Sequence, residues 1–383
     1  MEGEGIIKLS KSSVSRYEIE AVTDVMQKEY LGMGLQVKEF EDAIGTYLRT
    51  QKPIVCVNSG TAALHLALQS LDIKCGDEVL VPTITYVASF QAITAVGATP
   101  IACDVDEESF VIDLHDAKRR VSPNTKAIMP VWYAGDISRR EKVYLFAKSM
   151  GIRVIEDAAH AFGSEINGEV FGSEGDIICF SFDGIKNITC GEGGAIIFSK
   201  EFEAEAARNA RLLGVDGDSK KREKGLRSWS FSVNMQGWRY HMSNINASIG
   251  IAQLKRINEF KIKKKLLLNA YINELKKIPG CEIPKFDFEG VFMHIFVILV
   301  SENLRDQLRK FLLSRGIESG IHYPPNHKLS FFKTNYILPN AERFAKKCIS
   351  LPYHVDLSER DIKKISKELR NFFNERNDES QTY

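Results

Sequence analysis

The chain lacks the features that would direct it to a membrane, a nucleic acid or an oxidising compartment. No uninterrupted apolar run approaches the ~20 residues that span a bilayer. The acidic opening Met1-Glu2-Gly3-Glu4-Gly5, with no long apolar stretch behind it, predicts no secretory signal. Charge of one sign is missing too: Lys+Arg 51 against Asp+Glu 50 leave a formal charge of +1. Bulk electrostatics therefore give no case for nucleic acid or an anionic membrane, and any anionic partner must be recognised at a local site. Cysteine is sparse. Residues 56, 75, 103, 179, 190, 281 and 348 are scattered, odd in number and without CxxC spacing, so they read as reduced thiols of a cytoplasmic protein, several of them core residues, with no metal site. Internal repeats and low-complexity tracts are absent as well.

What is present is a soluble globular profile, 44% hydrophobic and 26% charged over 383 residues, long enough for one large domain and a smaller one. Helical spacing covers Ser13–Gln27 and Val37–Leu48, broken by Gly32-Met33-Gly34; that glycine pair has no strand before it and no third glycine, which argues against a dinucleotide fingerprint. Short apolar runs then alternate with helical patterns: Ile54–Val57, Val79–Val81, Thr99–Val105, Thr125–Val131 and Ile152–Asp157. Such alternation predicts a mainly parallel sheet with helices on both faces. Asp216–Arg227 reads as a mobile surface loop, and the basic run Lys255–Lys265 as the solvated face of a long helix rather than a nucleic-acid patch. Beyond Lys276 the pattern changes: strands are expected at Cys281–Pro284 and Met293–Val300, helices at Glu302–Arg315, Arg343–Ile349 and Arg360–Phe373, and a frayed polar tail at 374–383. The division expected is 1–255 and 256–383, the second part a smaller α+β domain.

Four local features carry chemistry. Two apolar runs, Asp176–Phe182 and Ala195–Phe198, flank a glycine-rich turn holding Lys186, either a surface lysine or a Schiff-base nucleophile on a rigid base. Asn58-Ser59-Gly60-Thr61 opens an apolar helix, either an ordinary cap or an anion site made of free N–H groups and hydroxyls. Tyr86 follows a strand end, where it either stacks on a flat cofactor or packs on its neighbours. Asp157 ends an apolar strand, either capping the next helix or meeting a partner for its charge. Together they match pyridoxal phosphate, whose aldehyde suits the lysine, ring nitrogen the aspartate, phosphate the helix start and ring the tyrosine.

The residues also resemble the DegT/StrS-type sugar aminotransferases, pyridoxal phosphate enzymes with an aspartate-aminotransferase-like fold. The resemblance runs from about Gly32 to Leu351. It is most specific at Ser59-Gly60-Thr61-Ala62-Ala63-Leu64, Glu156-Asp157-Ala158-Ala159-His160, Phe180-Ser181-Phe182 with Lys186-Asn187-Ile188-Thr189, and Gly191-Glu192-Gly193-Gly194. It implies that Lys186 links to the cofactor aldehyde, Asp157 pairs with the ring nitrogen, and His160 lies near the ring hydroxyl. Gly60, Thr61 and Ser181 would hold the phosphate and Tyr86 would stack on the ring. It further implies homodimers with shared sites, the lent segment resembling Gly237–Ser243, and a substrate mouth near His322 and Tyr323, which are otherwise turn-packing residues. Two positions depart from the family: Arg239 stands where relatives often have asparagine, and Asp183 where they often have histidine. The implied reaction moves an amino group from L-glutamate to a keto group, read as carbon 4, of a nucleotide-linked 4-keto-6-deoxy sugar, with pyridoxamine phosphate as the intermediate cofactor form. The product would serve a surface polysaccharide such as O-antigen. The alternatives are carbon 3 amination, a sugar 3-dehydratase (in which a histidine replaces the lysine), and a cofactor-binding regulator without turnover.

Overall fold

A computed structural model describes residues 5–226, 229–286 and 288–380, with side chains described to residue 376. The acidic residues 1–4, Arg227 of the expected loop and the tail residues 381–383 lie outside the described residues. Two helices open the chain, α1 (Arg16–Gln27) and α2 (Leu35–Leu48). A capping box starts α1: Ser15 Oγ takes the Tyr17 N–H while Glu18 reaches back to the Ser15 N–H at 2.6 Å. Glu18 is itself buried and bonded to Arg256 and Gln253, which ties this helix to the later chain.

Then follow β1 (Ile54–Val57), α3 (Gly60–Ser70), β2 (Glu78–Pro82), α4 (Ala88–Ala95), β3 (Thr99–Cys103), α5 (Leu114–Arg120), β4 (Thr125–Ile128), α6 (Arg140–Met150) and β5 (Arg153–Asp157). A small hairpin, β6 (Glu165–Ile166) with β7 (Glu169–Val170), precedes β8 (Ile177–Ser181) and β9 (Gly194–Phe198). Seven strands form one sheet in the order β1-β9-β8-β5-β4-β2-β3, parallel except for β9, which runs against both neighbours. Strands β1, β8 and β9 are buried along their whole length and β2 and β5 at all but their first residue, as strands covered by helices on both faces are. The expected mainly parallel α/β sheet is therefore the fold.

After α7 (Glu201–Ala210), the expected surface loop contains a short helix, α8 (Asp218–Arg222). It is tied down because Arg211, fully buried, bonds the Ser219 hydroxyl and the carboxylates of Glu41 and Glu223, both at 2.6 Å. The chain continues through α9 (Asn244–Lys255), α10 (Ile257–Leu275), β10 (Phe296–Leu299), α11 (Glu302–Ser314), α12 (Pro339–Lys347), β11 (Cys348–Leu351) and α13 (Glu359–Ser380). Four expectations are corrected. The helix expected at Arg343–Ile349 ends at Lys347, and Cys348–Leu351 is a strand that pairs antiparallel with β10. The strand expected at Cys281–Pro284 is one bridge, Glu282 with Leu299, because Pro284 has no N–H to continue a ladder. The polar tail stays helical to Ser380. In the basic run, Lys264 is buried rather than solvated.

One hydrophobic core joins the sheet to the C-terminal elements, with Phe110, Tyr133, Phe286 and Phe344 packed ring against ring. Five of the seven cysteines are buried. Among the described residues no helix is long and apolar enough to cross a membrane.

Candidate active site

Parallel strands deliver their C-terminal ends to one edge of a sheet, and open α/β sheets bind ligands there. Here the ends of β1, β2, β5 and β8 converge on a cavity of about 430 Å³. It brings together nine of the residues singled out from the sequence: Gly60, Thr61, Tyr86, Asp157, His160, Ser181, Lys186, His322 and Tyr323. Arg239 is not among them. Its side chain is exposed, and its backbone bridges Leu212 and accepts a bond from Asn58 Nδ2 at 3.3 Å.

At one end, Ser59 caps α3 by accepting the Ala62 N–H at 3.1 Å. The first N–H groups of a helix have no carbonyl a turn behind them, so those of Gly60 and Thr61 remain for an anion. A side chain at residue 60 would not fit: a Cβ there would lie 2.8 Å from Ser181 Cβ and 3.0 Å from its Oγ. Glycine thus lets the helix start and the β8 hydroxyl close on one point, a cradle for a phosphate.

At the other end Asp157 is buried, held by the Ser89 hydroxyl at 2.7 Å and the Ala159 N–H at 3.2 Å. Among the described residues no cation lies within ion-pair distance of it, and burial raises its pKa above the usual aspartate value. A buried carboxylate without a cation partner is costly, and a protonated ring nitrogen is the partner that would relieve it. Between the two ends Lys186 lines the cavity, its amine lowered by burial to about 8 although Asp157 and Asp183 pull the other way. The neutral amine, the nucleophilic form, is thus available near neutral pH.

His160 accepts the Ala134 N–H on Nδ1 at 3.3 Å, so its Nε2–H faces the Tyr323 hydroxyl at 3.0 Å. Burial, with Lys186 nearby, keeps the ring neutral. Tyr86 is largely exposed at the mouth, its ring 5.8 Å from that of Tyr323. His322 bonds Ser350 Oγ at 2.6 Å and is lowered by burial to about 4, hence neutral. Asp183 and Glu192, which sequence reasoning left without a role, also line the cavity, and burial with Asp183 alongside raises the Glu192 pKa. Ser89, which steers Asp157, was not anticipated; nothing in the sequence marks a serine at the second position of a helix as the partner of an aspartate 68 residues away.

An amine, a buried carboxylate and a free helix start around one cavity fit pyridoxal phosphate, and the comparisons make the protein a pyridoxal phosphate-dependent aminotransferase. Residues 13–370 match the DegT/DnrJ/EryC1/StrS aminotransferase family, and the chain belongs to that family. It is 31% identical over 375 residues to a Saccharopolyspora spinosa protein named dTDP-4-dehydro-2,3,6-trideoxy-D-glucose 4-aminotransferase, covering 95% of this chain and 96% of that one. The aminotransferase TlmJ from Streptoalloteichus hindustanus superposes with a TM-score of 0.89 at 29% identity, over 96% of this chain and 98% of that one. Spr1654 from Streptococcus pneumoniae in its PLP form does so at 0.86 and 30%, over 96% and 98%.

Proposed function

We propose that the protein transfers an amino group from L-glutamate to carbon 4 of a nucleotide-linked 4-keto-6-deoxy sugar. The observation that carries this reading is the single cavity that brings Lys186, Asp157 and the Gly60–Ser181 cradle to one sheet edge. Its choice of carbon 4 is supported by the Lys186–Thr189 loop running into Gly191-Glu192-Gly193-Gly194, and by the name of the Saccharopolyspora spinosa relative.

Pyridoxal phosphate supplies an aldehyde that takes up the amino group and a ring that accepts the electron pair left when a substrate carbon loses its proton, passing through pyridoxamine phosphate between half-reactions. Gly60, Thr61 and Ser181 hold the phosphate by hydrogen bonds, and Asp157 keeps a proton on the ring nitrogen. His160, a neutral donor through Nε2–H, serves the ring hydroxyl together with Tyr323. Tyr86 covers the ring from the mouth. Lys186 would hold the cofactor at its aldehyde carbon, and its amine, once free, would serve as the base and acid for the reacting carbons. His322 and Tyr323 border the path of the sugar.

Two copies of the chain share each site in this reading, with Arg239 of the Gly237–Ser243 segment reaching the partner's cavity as a charged donor to a phosphate. Its exposure on the isolated chain suits that role. Residues 1–255 form the cofactor-binding part and 256–383 the smaller one, and the product feeds surface-polysaccharide synthesis in the cytoplasm.

The test incubates the protein with pyridoxal phosphate, L-glutamate and a panel of keto-sugar nucleotides, following 2-oxoglutarate and the product by mass spectrometry. An aminated sugar with one equivalent of 2-oxoglutarate supports the reading, and its fragmentation assigns carbon 4 or carbon 3. Cofactor binding without product from any sugar favours a regulator and overturns it.

A further inference from the structure

Lys264 on α10 is the lysine that the basic run conceals. It is buried, and among the described residues no carboxylate lies within ion-pair distance of it. Its three N–H donors are nevertheless all used: Asn187 Oδ1 at 3.0 Å, Met293 O at 2.9 Å and His294 O at 3.3 Å. The rings of Tyr353 and Phe292 face the ammonium at 4.9 and 5.4 Å. Asn187, next to Lys186 in the chain, spends its amide N–H groups on the carbonyls of Phe162 at 3.2 Å and Phe292 at 2.8 Å. On the other side of the same grip, the His294 ring lies 4.4 Å from the His160 ring. Behind the loop, a void of about 20 Å³, room for about one water, is lined by Lys186, Asn187, Lys264, Tyr353 and His354. An isolated buried ammonium is expensive, and burial holds this one to about 7. A methionine would fill the space without that cost, but it could not bind three acceptors from two separate segments.

We propose that Lys264 is a positioning residue of the active site: by tying Asn187 to the 293–294 backbone, it fixes the loop that presents the Lys186 amine to the cofactor aldehyde. The inference rests on Lys186 being the cofactor lysine. The placement of that loop does not depend on which sugar is used.

The experiment takes the full chain with pyridoxal phosphate, reduces it with borohydride and maps the pyridoxyl label by peptide mass spectrometry. In the wild type the label falls on Lys186; label elsewhere overturns the cofactor-lysine reading itself. For Lys264→Met, the pyridoxal phosphate concentration giving half-maximal label on Lys186 rises about tenfold, the scale of losing a hydrogen bond to a charged group. Lys264→Arg restores it to within about twofold, because a guanidinium keeps the donors and a cavity of about 130 Å³ beside Lys264 gives it room. Asn187→Leu reproduces the loss with Lys264 in place, which covers the case of a Lys264→Met protein that does not fold. In the double variant the loss equals that of Asn187→Leu alone. Wild-type labelling in Lys264→Met or in Asn187→Leu, or losses that multiply in the double variant, overturns the proposal while leaving the cofactor-lysine reading intact.

Discussion

Exchanging Asp157 for asparagine removes a charge and little else, and it should push the apoprotein and the holoprotein in opposite directions. The carboxylate sits buried at the end of β5, with Ser89 and Ala159 as donors. Its pKa is raised, first by burial. A carboxylate whose folded pKa exceeds its unfolded value favours the fold at low pH, and that contribution is lost as pH rises through the folded pKa. Wherever the carboxyl is ionised, the apoprotein therefore carries a buried charge that costs stability. Asp157→Asn relieves it, keeping an amide oxygen for one donor beside a hydroxyl free to turn. The apoprotein melting temperature should hold or rise. With the cofactor bound, the same change removes one partner of a buried ion pair, which costs about 3–5 kcal/mol. That is roughly a hundredfold to a few thousandfold in affinity for the ring-protonated cofactor, and turnover should fall on the same scale. Calorimetry of the apoprotein, pyridoxal phosphate titration and single-turnover kinetics with the amino donor measure the three effects. Turnover within tenfold of wild type, or an apoprotein melting more than about 3 °C lower, would refute the pairing of Asp157 with the ring.

The remaining predictions concern the other contacts of the cavity. Lys186→Ala abolishes turnover and the visible absorption of bound cofactor while leaving the fold intact; a surviving band contradicts the assignment. In the apoprotein, acylation of Lys186 by an amine-specific reagent should be half-maximal near pH 8 and blocked by pyridoxal phosphate; a midpoint near the ordinary lysine value would show that the amine is not desolvated. Because a lysine lowered by burial binds fewer protons folded than unfolded, its contribution to stability rises with pH between about 8 and 10.5. Gly60→Ala drives a Cβ against Ser181 and should weaken pyridoxal phosphate about tenfold but leave pyridoxal, which has no phosphate, unaffected. Arg239→Ala should weaken cofactor or nucleotide-sugar binding, and unchanged affinity for both removes it from the site.

The large sheet was legible because its evidence is local. Ile54–Val57 is apolar throughout and is followed by the turn residues that start a helix, and the Val154-Ile155 pair marks the buried middle of Arg153–Asp157. Asp157, Ser59-Gly60-Thr61 and Lys186 could be singled out for a related reason: the first ends a strand and the others lie in the turns that follow one. What escaped was set by distant partners. Cys348–Leu351 is a strand only because Phe296–Leu299 lies beside it. Asp218–Arg222 is a buried-side helix only because Arg211 reaches Ser219 and Glu223. Lys264 shares its spacing with three neighbouring lysines, and periodicity cannot say which of them turns inward to meet Asn187, 77 residues earlier in the chain.

Burial shifts both Lys186 and Asp157 toward neutrality, and that common cause suits each to its part in holding the cofactor. The Lys186 amine falls to about 8 and the Asp157 carboxyl rises, because desolvation penalises the charged form of each. Their mutual attraction opposes both shifts but is the smaller effect, so burial sets the direction of each. An uncharged amine is what attacks an aldehyde. A carboxyl with a raised proton affinity is what shares a proton with a ring nitrogen rather than leaving it to solvent. The anion cradle needs no such adjustment, being built of backbone N–H groups and a hydroxyl that carry no net charge to desolvate. The arrangement makes a further demand on Ser89: its bond to Asp157 opposes the burial shift. Losing it through Ser89→Ala should therefore raise the Asp157 pKa again and slow turnover at high pH least, where the carboxyl is ionised regardless.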